Sequence, residues 1–263
     1  MIPVGMSTSC TFPKPLDAAF RIAKRVGYDG IEVMVSTEEA TRSATAMRSL
    51  VRKHDLPVLS IHAPVLFFTQ FVWGTNPVTK LERTVQLAAE LEASTVVVHP
   101  PFRWQGQYAL KFLDLVRSLE QSSGVTVAVE NMFPWNLTGS GQRMYLPGIN
   151  PVEMDCDSIT LDFSHAALSG DDALEMAKAA GSRLKHVHLC DGEAPGGSNK
   201  LWDEHLEPGR GGQPVAATLD YLRESGFSGH VVAEVNTRSA KSEAQRLEML
   251  GRTLAFAREH LGA

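Results

Sequence analysis

The chain has 263 residues, a formal net charge of −5 and a pI near 6.0. Its 43% hydrophobic and 21% charged residues, without a biased tract, are enough to bury a substantial core and exclude a disordered chain. The acidic balance offers no overall attraction for a polyanion, which disfavours nucleic acid as a partner.

Eight apolar, β-branched runs are predicted as strands: Pro3 to Ser9, Gly30 to Val35, Pro57 to His62, Thr95 to His99, Thr126 to Glu130, Ile159 to Asp162, Leu184 to Leu189 and Val231 to Glu234. Amphipathic or Ala/Leu-rich helical stretches separate them, which is the alternation a parallel sheet needs. Gly27 and Gly226 read as helix C-caps, each leading through a short aromatic-Gly turn (GYDGIEV, GFSGHVV) into the next strand. Asn76-Pro77 and Asn150-Pro151 place a capping side chain before a proline and mark helix starts. Runs such as TVVVH and HVVAEV are apolar nearly throughout, as expected when both sheet faces are covered. Eight such units predict a closed (β/α)8 TIM barrel, an α/β fold, as one domain over residues 1–263. An open doubly wound sheet is the alternative, but no GxGxxG follows the first strand and no linker divides the chain.

The opening MIPVGMSTSC lacks the basic-then-apolar order of a secretion signal, and no apolar run approaches the roughly 20 residues of a membrane helix. Cys10, Cys156 and Cys190 are scattered and none sits in a CxxC. The expectation is a cytoplasmic protein without a membrane partner.

Parallel barrel strands present their C-terminal ends to one face, where reactive residues gather. Those ends here carry His62, His99, Glu130, Asp162 with His165, His188, and Glu234, so six consecutive strands end in a metal-ligand type. A lone His or Glu at such a place commonly just binds a loop. Several together in one mouth would repel, and a bound dication is the usual way to offset that.

The order HAP, HP, EN, DxxH, HxHxxD, DxH, PGxG and a final Glu resembles the xylose isomerase-like barrel superfamily, which contains sugar isomerases, epimerases and endonuclease IV. The resemblance implies one divalent ion (Mn, Zn or Co) on Glu130, Asp162, His188 and Glu234, with Glu130 and Glu234 as catalytic acid-base groups. Through the endonuclease IV branch it also implies additional cluster ligands at His62, His99, His165, Asp203 and His205.

Around that mouth, Trp73, Trp104, Trp135 and Trp202 all follow strands, offering an apolar wall to a sugar-like ring or simply packing loops. Arg103, Arg143, Lys200, Arg210 and Arg238 fall in or near the same loops as anion contacts or solvated charge. PGRGGQ can expose backbone N–H groups as an anion cradle, but it lacks the Lys-Ser/Thr pair of a nucleotide loop. His186, two residues before His188, is expected deeper in the barrel, while His54, His230 and His260 are expected at the surface or bottom face.

The leading expectation is a metal-dependent isomerase or epimerase acting on a sugar, cyclitol or sugar phosphate through an enediolate, with no nucleotide cofactor. His62, His99, His165, Trp104 and Arg210 are its candidate substrate-binding residues. The alternatives are an endonuclease IV-like zinc phosphodiesterase, favoured by the nine ligand types, and a non-catalytic metal-binding barrel. Against the nuclease stand the acidic charge and the STEEAT loop, which puts Glu38 and Glu39 where related nucleases carry DNA-contacting residues. Substrate identity, native metal and homo-oligomerisation stay open.

Overall fold

The structure is a computed structural model, described for residues 1–64, 69, 71–134, 144–194 and 203–262. Eight parallel strands close into a barrel in chain order, with β8 returning to pair β1. They are β1 Val4–Ser7, β2 Gly30–Met34, β3 Val58–His62, β4 Thr95–Val98, β5 Thr126–Glu130, β6 Ile159–Asp162, β7 Leu184–Leu189 and β8 His230–Ala233. Among the described residues, nine α-helices surround it: α1 Leu16–Val26, α2 Ala44–His54, α3 Pro77–Glu90, α4 Gln107–Leu110, α5 Phe112–Ser123, α6 Phe163–Ser169, α7 Ala173–Ala180, α8 Val215–Glu224 and α9 Glu243–Leu261. The strands' Val and Ile side chains and the inner faces of the helices form one core, in which Phe20, Phe112 and Phe163 are the largest fully buried residues. No described helix is long and apolar enough to cross a membrane.

Local chemistry sets the joints. Gly27 ends α1 at φ 102°, a left-handed conformation that glycine adopts without a Cβ clash. Gly229, before β8, has no alternative for a different reason: a Cβ there would lie 1.9 Å from the Lys185 carbonyl oxygen. Asn76 accepts from the N–H groups of Val78 and Thr79 and starts α3 as expected. Asn150 makes the same kind of cap toward Val152, but only a 3-10 turn, Pro151–Glu153, follows. Strand β1 stops at Ser7 instead of continuing to Ser9, because the Ser7 hydroxyl accepts from the Ser9 N–H and turns the chain into a 3-10 segment. His230 lies inside β8 instead of preceding it, paired with His186, and burial pushes its imidazole down to about 4.

Candidate metal and active site

The strand ends bring the expected ligands together. Glu130, at the end of β5, is the hub: its Oε2 lies 3.2 Å from His62 Nε2 and 2.9 Å from His99 Nε2, and its Oε1 lies 3.2 Å from both His165 Nδ1 and His188 Nδ1. His188, at 0% exposure, also presents Nδ1 to Glu234 Oε2 at 2.9 Å and to Asp162 Oδ2 at 3.6 Å. On the far side of Asp162, His205 Nε2 is 3.4 Å from Asp162 Oδ2, and Asp203 lies 3.0 Å from His165 and 3.1 Å from His205. Three groups in this region have the spacing to hold a cation: Glu130, Asp162 and His188; His62, His99 and Glu130; and Asp162, His165 and His205. Glu130 and Asp162 are each shared between two of them.

The tautomers argue that these groups fit metal ions. His62 places Nδ1 3.0 Å from the Ala63 carbonyl, and His165 places Nδ1 2.8 Å from the Asn131 carbonyl. His188 places Nε2 3.2 Å from Glu32 Oε1. An oxygen in each case holds the proton on one ring nitrogen, which turns the other toward the carboxylates as a metal-ligand lone pair. A single N–H at His188 Nδ1 cannot neutralise Glu130, Asp162 and Glu234 at once, whereas a divalent ion among them does.

Without metal, protons supply that charge. Burial alone would raise the Glu130 carboxyl, yet the imidazoles of His99 and His188 hold it well below the usual carboxylate range. Asp162 is held well below its range in the same way by His165 and His205. Burial would lower the His188 imidazole, but Glu234, Glu32 and Glu130 around it push it well up. His205 is lifted against burial by Asp203 and Asp162, to about 9.

Three residues outside the expected set hold the site in shape. Glu32, fully buried on β2, accepts from His186 Nε2 (2.9 Å), His188 Nε2 and the Ser60 hydroxyl (2.8 Å), reaching across the barrel from β2 to β7. Its only sequence signal is a charged residue within the otherwise apolar GIEVM. Asn131 donates to the Asp162 carbonyl at 3.0 Å and accepts the Asp162 N–H at 2.7 Å, clamping the end of β6 beside β5. Asp191 accepts the N–H groups of Gly192, Gly209, Gly211 and Gln213. That last contact corrects one expectation: the PGRGGQ amides already hold an internal anion, Asp191, and do not form a free cradle.

The Glu32 contact gives a direct prediction. Glu32→Gln keeps an acceptor oxygen but removes the charge that fixes His188, so metal affinity is expected to fall roughly 10- to 100-fold, read by competition with a chromogenic chelator. Unchanged affinity would mean that Glu32 only fills the barrel interior.

The remaining expected residues fall at varied distances from the cluster. Trp104 stacks on Phe102 (centroids 4.3 Å, interplanar 6°) and lines a cavity with His99. Trp73 packs against the core, and Arg238 lies over the Phe12 ring at 5.3 Å. Arg210 is 62% exposed and pairs with Glu207 at 3.5 Å, with no described contact to the cluster. Trp135, Arg143, Lys200 and Trp202 lie outside the described residues. Glu38 accepts the Leu16 N–H with both carboxylate oxygens at 3.1 Å and so caps α1. His186 sits one layer below His188 as expected, while His54 and His260 pair with Asp17 and Asp220 on the helices.

Comparison with known proteins gives the chain its family. An uncharacterized protein of Mycobacterium tuberculosis is 48% identical across 99% of this chain and 98% of its own length. The 3-dehydro-D-guloside 4-epimerase of Escherichia coli is 23% identical across 90% of this chain and 93% of its own. Among solved structures, the IOLI protein with a binding zinc atom superposes with a TM-score of 0.71 at 16% identity, covering both chains fully. Residues 20–260 match the family model of the xylose isomerase-like TIM barrel, and the chain belongs to that family.

Proposed function

We propose that the protein is a divalent-metal-dependent isomerase or epimerase acting on a sugar, cyclitol or sugar phosphate through an enediolate. The observation that carries this reading is the meeting of two carboxylates, Glu130 and Glu234, at one imidazole nitrogen, 3.2 Å and 2.9 Å from His188 Nδ1, with Asp162 beside them. A divalent ion on these four residues would polarise adjacent substrate oxygens and stabilise charge developing on them. Glu130 and Glu234 each have a second oxygen with which to take a proton from carbon and return one. In this reading His62 and His165 bind substrate hydroxyls, and the near-complete burial of Glu130 and Asp162 keeps competing water away. Distant relatives that are sugar epimerases support the reaction class.

The test is deuterium exchange. Metal-loaded protein incubated in D2O with a panel of ketoses, aldoses and inososes is expected to place deuterium on the carbon beside the carbonyl of at least one of them, read by NMR.

A specific observation favours a second reading. The two outer groups, His62 with His99 and Glu130, and Asp162 with His165 and His205, give the site room for more than one ion, as a zinc phosphodiesterase would need. In that case no carbon-bound proton moves, and the same preparation incises an abasic-site duplex. The net charge of −5 weighs against a DNA substrate.

A further inference from the structure

Beside the cluster lies a cavity of about 310 Å3 whose chemistry is unlike that of the cluster itself. His99 forms the boundary: it lines the cavity and places Nε2 2.9 Å from Glu130. Beyond it the walls are Pro64, Pro100 and Pro101, the first turns of α3, and a ladder of aromatic rings. In that ladder Phe102 stacks on Trp104 at 4.3 Å and on Tyr145 at 4.9 Å, with interplanar angles of 6° and 23°. Trp104 is nevertheless 57% exposed. No carboxylate is among the described lining residues.

Tyr145 supplies the second observation. The residue is 2% exposed and lines the cavity, yet its hydroxyl is buried with no hydrogen-bond partner among the described residues. A buried phenol ordinarily finds a partner, since leaving one unpaired forfeits its hydration without return. A ligand atom that accepts from it would remove that cost. The cluster is made of carboxylates and imidazoles suited to hydroxyl and carbonyl oxygens, while the neighbouring cavity is lined mainly by rings and prolines, with Thr75, Lys80 and Gln105 among its polar groups and the Tyr145 hydroxyl without a partner among the described residues. Joined at His99, the two call for a ligand with a polar half and a flat apolar half.

We propose that this cavity is a second binding subsite that takes a flat, apolar substituent bearing a hydrogen-bond acceptor, so that the substrate is a conjugated sugar, one that carries an attached aryl group together with the carbonyl an enediolate requires, and not a free monosaccharide. The inference rests on the sugar reading of the metal site and specifies its substrate class. Stacking on the exposed Trp104 ring supplies affinity, and the Tyr145 hydroxyl sets orientation by donating to the acceptor.

The experiment compares phenyl β-D-glucopyranoside with methyl β-D-glucopyranoside as probes on the metal-loaded protein, by calorimetry. The phenyl compound is expected to bind at least about tenfold more tightly, since burying a ring outweighs burying a methyl group. Thr75→Trp, at an exposed position lining the cavity, is expected to fill it and erase that preference, with metal content as the control for folding. Trp104→Ala, which opens the cavity, is expected to reduce the preference as well and decides the matter if the first variant fails to load metal. Equal binding of the two glycosides by the wild type, or a phenyl preference that survives loss of the stacking ring, would overturn the proposal. The two readings fail separately: proton exchange on sugars without phenyl preference removes the subsite alone, while phenyl preference without exchange on any sugar removes the isomerase reading and leaves the subsite standing.

Discussion

Replacing either Glu130 or Glu234 by Gln is expected to lower solvent-deuterium exchange on a responsive sugar roughly 10²- to 10⁴-fold, the range ascribed to a positioned acid-base group. Gln keeps a ligating oxygen and nearly the same volume but cannot accept the proton. The two variants should differ in metal affinity. Glu130 touches His62, His99, His165 and His188, whereas Glu234 approaches His188 from the mouth, so Glu130→Gln is expected to lose more metal. Exchange that persists at wild-type rate in the Glu234→Gln protein would place the base elsewhere.

Removing the metal is expected to be the other large effect. Chelation should cut turnover by about 10³-fold or more, restored by Mn, Zn or Co, because several kcal/mol of charge stabilisation goes with the ion. Re-uptake should depend on pH in a definite direction. The His205 imidazole is raised to about 9 and His188 and His165 lie well above their ordinary value, so protons occupy these nitrogens in the metal-free protein at neutral pH. A ligand nitrogen must lose its proton to bind metal, so apparent affinity is expected to rise as pH is raised from neutral to about 9, where His205 also loses its proton. Competition titrations across that range check it; an affinity that falls as pH rises would contradict the assignment.

The meeting of these side chains was legible because parallel strands in a barrel share one direction. Once the eight runs are identified, the residues that end them must meet at one mouth, where His62, Glu130 and Asp162 each close a strand and His188 stands one residue before the end of β7. Glu32 was not legible. In a strand buried on both faces the alternation that separates interior from exterior is lost, and β2 also shifts register between Ile31 and Glu32. Asn150-Pro151 carried the same signal as Asn76-Pro77, but a cap specifies only a first turn, and continuation depends on packing that a local motif does not encode. Asp191 has a ligand's chemistry and a ligand's place after β7, yet the loop amides consume it, a competition visible only once Gly209 and Gly211 are folded back onto it. The tryptophans show the same limit: all follow strands, but Trp73 is half-buried against the core while Trp104 lines the cavity.

The central claim is that Glu130, Asp162, His188 and Glu234 form a resident divalent-metal site, and elemental analysis of the purified, dialysed chain tests it most directly. The expected result is at least one tightly held Mn, Zn or Co per chain in the wild type and a clear loss in His188→Ala, with His99→Ala lowering the count further only if the outer group holds its own ion. A wild-type chain that stays empty when offered all three metals at neutral pH would contradict the account, because the cluster would then be a proton-bridged structural network and no metal-dependent chemistry could be assigned to it.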